Sequence, residues 1–414
     1  MFLRKSIYCM IIIQAYLFFS VIHCLSMEIS VKEMGQPIFL GGVFQVDYRN
    51  ISNQARADSR FDIRRARLNL SGHLTPEMNC QLAFEFQGNE TRKLVDAFGE
   101  YQVYPAVQVR FGQFKMPFSR EWQINDGDFS FAERSIGFSL QPGRDIGLMV
   151  GGQFFQDTFL YKIGAFNGDG IDGSSRGNQK DDPEVAVHFV VHPFSLTRIP
   201  VLSDFFSGIS YSEGRIDLTN ISVNAKTTGM IGTQRSVYAL SANTKFGALL
   251  DVNRRQRISL ESGFISGPFA LYGEYQRYRY IDLKPVQGTS GNANFFSWYT
   301  SFIVNFTGTP LTGHSNKFLE KKAQVSSGIW QMALRREYFS GDAHWIIDKA
   351  FNAAKEVNAY SLALNYIRSP YYRFLIDYTV SDISDPLRIR VNPDGTIEYM
   401  TSETSLIVRF QITI

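Results

Sequence analysis

Three arginines, Arg65, Arg67 and Arg110, stand on the polar faces of stretches in which apolar and polar side chains alternate. Arg65 and Arg67 oppose Ala66, Leu68 and Leu70, and Arg110 opposes Val109 and Phe111. A guanidinium offers a planar fork of donors suited to phosphate oxygens, whereas a lysine contributes a compact charge. Along a narrow aqueous passage with low-dielectric walls, such groups admit anions and repel cations. Asp96 and Glu100 share one strand face and are placed to hold an arginine fork in orientation. The competing expectation is that these arginines are paired with Asp or Glu and do no more than satisfy interior polarity. Arg64 falls out of phase with its neighbours, so it stands at a strand end or marks a bulge.

The elements that must carry these residues are strands. The chain closes on SLIVRFQITI, in which Leu406, Val408, Phe410, Ile412 and Ile414 alternate with Ser405, Ile407, Arg409, Gln411 and Thr413. A side-chain period of two calls for one apolar medium and one wet one, and an arginine facing a packed soluble core is costly without partners. The pattern recurs: Leu40, Phe44, Val46 and Tyr48 oppose Gln45 and Asp47, and Phe374, Ile376, Tyr378 and Val380 oppose Arg373 and Asp377. Glu261, Gln331, Arg335 and Asn365 occupy other polar faces. Recurrence over nearly the whole chain predicts an all-β fold, a transmembrane antiparallel β-barrel wet inside and lipid-bathed outside.

Connections alternate in length. Tight turns are expected at 75–78, 104–106, 156–157, 266–268 and 369–370, and longer loops at about 49–60, 88–93, 119–143, 167–182, 214–254, 281–293, 339–356 and 382–403. The connections 193–204 and 307–327 are long where a short turn is expected. Seventeen candidate strands can be counted, and bacterial single-chain barrels use an even number, so Ser236 to Gly247 is assigned to a long outer excursion, leaving sixteen.

Composition bounds the rest. The 414 residues include 35 Phe and 20 Tyr, and a formal charge of +3 gives no concentrated basic face for nucleic acid. Residues 1–26 combine Arg4 and Lys5, an apolar run from Ile7 to Ile22 and a small residue at Ser26, which reads as a cleaved secretory signal peptide. A membrane anchor is the other reading of that run, and His23 weakens a lipobox at Cys24. Export removes Cys9 and Cys24, leaving Cys80 alone and no intrachain disulfide. The expected organisation is a leader over 1–26, a short segment over 27–38 and one barrel domain over 39–414. No second apolar stretch is long enough for a helical span.

Six stretches carry a resemblance: FDIRRARLNLSGHL (61–74), LVDAFGEYQVYPAVQVRFGQFKMPFS (94–119), FAERSIGFSLQPGRDIGLMVGG (131–152), SGPFALYGEYQR (266–277), NFFSWYTSFIVNFTG (294–308) and GIWQMALRREYF (328–339). In this order they resemble the phosphate-selective porins O and P, over roughly residues 39–414. The resemblance implies a sixteen-stranded, homotrimeric outer-membrane barrel passing small anions such as phosphate, with a loop over 119–143 folded into the lumen as its constriction. It places Arg64 and Arg65, Asp96 in LVDAF, Lys115 in GQFKMPF and Arg134 in FAERS in the pore lining. The constriction stretch holds Arg120, Arg134 and Arg144 beside Glu121, Asp126, Asp128, Glu133 and Asp145, so by composition it is nearly neutral. Barrels of this type usually end on an aromatic residue, whereas this chain ends on Ile414 with Phe410 four residues inside.

Other chemistry is weakly indicated. Gly168 to Gly173 fits a G-x-G-x-x-G spacing without a βαβ context, and beside Asn167 it reads as a turn before it reads as a calcium loop. His188 and His192 share a parity but lie about 13 Å apart along a strand, too far for joint metal ligation. Trp298, Tyr299, Trp330 and Tyr338 read as an interface girdle before a sugar-stacking slide. No cofactor, metal or catalytic constellation is expected. The resulting expectation is a passive outer-membrane porin, with outer-membrane lipid and small anions as partners. The alternatives are a weakly selective pore, an adhesin using the 214–254 and 382–403 loops, and an exported soluble β-rich enzyme.

Overall fold

The computed structural model describes residues 27–30, 37–52, 58–87, 93–155, 158–168, 170, 182–197, 199, 202–216, 221, 223–231, 236–240, 243–307, 328–347, 354–369 and 371–414. Its main sheet holds nineteen strands, of which three short ones, Met27–Ser30, Asn243–Thr244 and Gly247–Asp251, are accessory. The other sixteen form a closed antiparallel barrel: β1 (Pro37–Ile51), β2 (Asp58–Thr75), β3 (Met78–Glu85), β4 (Leu94–Tyr104), β5 (Val107–Lys115), β6 (Arg144–Phe154), β7 (Phe159–Phe166) and β8 (Glu184–Val191) make the first half. The second half is β9 (Phe206–Arg215), β10 (Arg254–Ser266), β11 (Phe269–Pro285), β12 (Gly291–Asn305), β13 (Ile329–Ser340), β14 (Glu356–Ser369), β15 (Tyr372–Val391) and β16 (Ile397–Thr413). Each strand pairs with its sequence neighbour, and β16 returns to β1 with Ile412 opposite Phe44 and Phe410 opposite Val46. Closure removes both sheet edges, so every ladder group has a partner in hydrocarbon.

The alternation sets the faces as expected. On β15, Phe374, Ile376 and Tyr378 are exposed outward, while Arg373, Leu375 and Asp377 are buried inward. Outward aromatic pairs bridge neighbouring strands, with ring centroids 4.9 Å apart for Phe374 and Phe410 and 4.8 Å for Trp330 and Tyr366. Tyr299 departs from the girdle expectation. It sits at an odd position of β12, whose odd residues face inward, and it packs edge-on against Tyr272 at 6.4 Å.

Several strands outrun their expected ends. The 281–293 loop shrinks to 286–290, because β11 reaches Pro285 and β12 starts at Gly291. The 382–403 loop is mostly strand, with a turn at 392–396, because β15 and β16 continue their pairing up to Val391 and Ile397. The excess strand assigned to Ser236–Gly247 does lie in the excursion between β9 and β10, where Val223–Ala225 pairs with Tyr238–Leu240. The expected turns at 156–157 and 370, most of the 167–182 loop and most of the 307–327 connection fall outside the described residues.

Two segments fill the barrel. The first, residues 116–143, leaves the end of β5 and folds into the lumen, with one helical turn at Arg120–Gln123 and a 3-10 turn at Ile136–Leu140. Ser119 caps the helical turn, its Oγ accepting from Trp122 N at 3.2 Å. The second is the excursion 216–253. Its described residues Ile216, Val223, Tyr238, Leu240 and Leu249 are buried in one cluster with inward-facing Tyr280, Phe295, Phe339 and Val357, and with Trp345. The hydrophobic effect thus holds these described side chains of the excursion against the inner face of the strands.

Candidate functional site

The inward-facing side chains of β1 and β10–β16 are almost entirely buried, whereas those of β2–β5 and β7 keep partial exposure at Arg65, Arg67, Glu85, Glu100, Arg110 and Lys162. The partly exposed inward side chains therefore lie on the β2–β7 wall, beside the inserted loop.

The loop is seated by its own backbone. Amides of Ser119, Arg120, Glu121, Ala132 and Ile136 donate to Ser210, Glu261, Glu274, Asp377 and Glu337, at 3.0, 2.6, 2.5, 2.7 and 2.6 Å. Its carbonyls at Gly127, Ser130 and Glu133 accept from Gln411, Asn365 and Arg335, at 2.8, 2.9 and 3.0 Å. A loop inside a barrel loses water at its peptide groups, and each unpaired one is costly. The polar inward faces of β9–β16 supply the missing partners. Parity identified Glu261, Arg335, Asn365 and Asp377 as inward polar residues, but their partner lies more than a hundred residues away in sequence.

Two loop carboxylates join the loop to the arginines of β1, β2 and β16. Asp126 meets Arg65 at 3.1 Å, Arg67 at 2.8 Å and Arg134 at 2.9 Å. Glu133 takes the fork of Arg64 at 2.6 and 2.8 Å, Arg49 at 2.6 Å and Arg409 at 3.4 Å. Arg64 reaches it because the β1–β2 register slips between Gln45 and Val46, whose partners are Arg65 and Ile63. That slip is the bulge its parity suggested, and it turns two consecutive arginines toward the loop. Burial alone would push both loop carboxyls up. The arginines outweigh it: Arg65, Arg67 and Arg134 hold Asp126 well below the usual carboxylate range, and Arg64 and Arg49 do the same for Glu133. Asp128 goes the other way, raised by burial against a weaker pull from Arg373.

Along the open wall, Asp96 binds Arg144 through both oxygens at 2.8 and 3.1 Å. Glu100 meets Arg110 at 2.6 Å, and that guanidinium lies 4.3 Å from the centroid of the Phe98 ring. Asp96 and Glu100 thus each hold an arginine fork, but not the same one. Glu85 meets Arg67 at 3.2 Å and Arg65 at 4.0 Å. Lys115 Nζ donates to the carbonyls of Trp122 and Ile124 at 2.9 and 3.0 Å, and Lys162 Nζ to Gln123 Oε1 at 3.1 Å. Arg134 also donates to the carbonyls of Glu121 and Ile124.

The structure places all seven sequence-derived residues, Arg64, Arg65, Arg67, Asp96, Arg110, Lys115 and Arg134, on strands β2, β4 and β5 or on the inserted loop. Six of the seven are in ion pairs, the exception being Lys115. Lys162 was missed, although its place between outward Tyr161 and Ile163 is a parity signal. His188 is 3.0 Å from Glu261 and stands opposite Lys162 in the β7–β8 ladder. Among the described residues, no cluster of His, Cys, Asp and Glu is suited to a metal ion.

A sixteen-stranded barrel, apolar outside, with a charged interior and a loop inserted into it, defines an outer-membrane porin. The sequence model of the phosphate-selective porin O and P family matches residues 38–399, and the chain belongs to that family. It is a transport protein of the outer membrane and not an enzyme. The fold is shared with an anion-selective porin from Comamonas acidovorans, at 12% identity and a TM-score of 0.57 over 92% of this chain and 100% of that one. OmpT of Vibrio cholerae aligns at 8% identity and a TM-score of 0.55, over 94% of this chain and 100% of that one. The channel DcaP of Acinetobacter baumannii aligns at 12% identity and a TM-score of 0.52, over 93% and 99%. No curated protein matches the sequence.

Proposed function

We propose that this porin passes small anions in preference to cations, with phosphate among them, by diffusion along the β2–β7 wall. The observation that carries the reading is the charge balance of the passage. Seven basic groups, Arg65, Arg67, Arg110, Arg134, Arg144, Lys115 and Lys162, face four carboxylates, Glu85, Asp96, Glu100 and Asp126. The arginines engage every one of those carboxylates, so the excess of three positive charges includes both lysines. Low-dielectric walls concentrate that excess on permeating ions. The anion selectivity named for the Comamonas porin is consistent with this reading.

The test is the reversal potential across a planar bilayer in a potassium chloride gradient, with phosphate then added to block chloride current. Anion preference that falls in Lys162→Gln is expected, and cation preference of the wild type overturns the proposal. A weakly selective pore is the second reading, favoured by the pairing of all five arginines; under it, phosphate leaves chloride conductance unchanged. We further propose a homotrimer, from the family resemblance, and export by removal of residues 1–26. Crosslinking in native membranes and N-terminal sequencing of the mature chain check these two points.

A further inference from the structure

We infer that Arg277 and Arg279, on the outer wall of β11, form a binding site for the phosphate of an anionic lipid headgroup in the extracellular leaflet. The outward residues of β11 run Phe269, Leu271, Gly273, Tyr275, Arg277, Arg279 and Ile281, because the alternate positions are buried inside. Phe269 follows the tight turn at 267–268 and stacks with Phe302 at 6.2 Å, marking the lower rim of the apolar band. A strand rises about 3.4 Å per residue and tilts about 40°, which puts Arg277 about 21 Å and Arg279 about 26 Å above Phe269 along the membrane normal. The apolar band of such barrels is about 25 Å tall, so the two guanidinium groups stand at its upper edge.

Nearby outward cations have protein partners. Arg254 meets Glu213 at 2.6 Å, Arg215 meets Asp182 at 3.0 Å, Lys284 meets Asp251 at 3.2 Å, and Arg336 stacks on Trp298 and Tyr360. Among the described residues, Arg277 and Arg279 have neither a carboxylate nor a hydrogen-bond partner, and Arg279 Nε is shielded from solvent. Their cross-strand neighbours are Ile258 and Gln256 on β10 and Phe296 and Asn294 on β12. Gln256 donates to Glu213 at 3.0 Å, and Glu213 is itself held by Arg254. The patch therefore combines two free forks, the Asn294 amide and apolar flanks for acyl chains. An unpaired lipid-facing arginine is unfavourable in the hydrocarbon and nearly neutral at the interface, where phosphate oxygens supply its missing acceptors. Charge complementarity and depth select a phosphorylated headgroup over a neutral one.

The probe is a bisphosphorylated diglucosamine lipid, added to the full protein in mild detergent and read by native mass spectrometry. Its chemically dephosphorylated form and inorganic phosphate serve as comparison arms. The wild type is expected to hold the phosphorylated lipid, and Arg277→Gln with Arg279→Gln together to weaken it at least about tenfold, since hydrogen bonds to charged groups are the strong ones. The paired lysine replacements retain part of the binding. Because neither arginine faces the passage, single-channel conductance stays at the wild-type level and reports that the barrel has folded. Equal binding by the glutamine variant, equal binding of the dephosphorylated lipid, or displacement by millimolar inorganic phosphate overturns the proposal. So does loss of oligomer mass with lipid binding intact, which would make the patch a subunit contact.

Discussion

Replacing Asp126 by Asn should raise anion preference, because this carboxylate is the one acid shared by Arg65, Arg67 and Arg134. A unit charge about 6 Å from a permeating ion acts with about 0.7 kcal/mol even at the dielectric constant of water. Screening at physiological salt, with a Debye length of about 8 Å, roughly halves this to about 0.3 kcal/mol. Anion and cation energies move in opposite directions, so their ratio changes by about 0.7 kcal/mol, or about threefold. The assay is the reversal potential in a potassium chloride gradient, wild type against variant in the same membrane. The side chain keeps its size, so a gross change in pore width is not the expected source. A permeability ratio that is unchanged or shifted toward cations would refute both the location of the passage and the sign of its charge balance.

Glu133→Gln removes the charge on which Arg49, Arg64 and Arg409 converge, and breaking a buried ionic cluster on one side costs about 3–5 kcal/mol. Larger, noisier single-channel currents and a lower unfolding temperature are expected, and quiet wild-type currents would show that the loop is held elsewhere. Asp126 and Glu133 have folded values below their unfolded ones, so the stability they contribute is present above the unfolded value near 4 and is lost only as pH falls well below it. Conductance should therefore hold steady from pH 7 down to about 5, and an opening transition in that range would contradict the assignment. Tyr238→Ala empties the centre of the cluster under the excursion, where the ring packs on Phe295 at 5.5 Å and Phe339 at 5.9 Å. A loss of about 3–5 kcal/mol in excursion packing, read as new protease cleavage within 216–253, is expected; a resistant variant would argue against burial of this segment.

The period of two, read from segments such as SLIVRFQITI and FLIDYTV, determined the barrel and the inward face of nearly every strand, and with the even-number rule for such barrels it gave sixteen strands. It did so because lipid outside and polar groups inside impose one rule on every strand, and a local pattern suffices to read it. Parity also placed Arg65, Arg67 and Arg110 inside, and flagged Arg64 as irregular. For Tyr299 parity was right and residue type misled, since an aromatic ring suits a membrane interface and a packed lumen alike. Tertiary structure alone decided what the inward charges touch. Glu85, the cross-strand neighbour of Arg67, is a local partner, but Asp126 and Glu133, which bind Arg64, Arg65 and Arg67, lie on a loop about sixty residues further along the chain, and the acids that receive the loop's amides lie on strands more than a hundred residues away. No local spacing encodes such pairs. Whether an arginine offers its fork to a passing anion or spends it on a carboxylate depends on which peptide groups and acids the closed barrel forces out of water and into its reach.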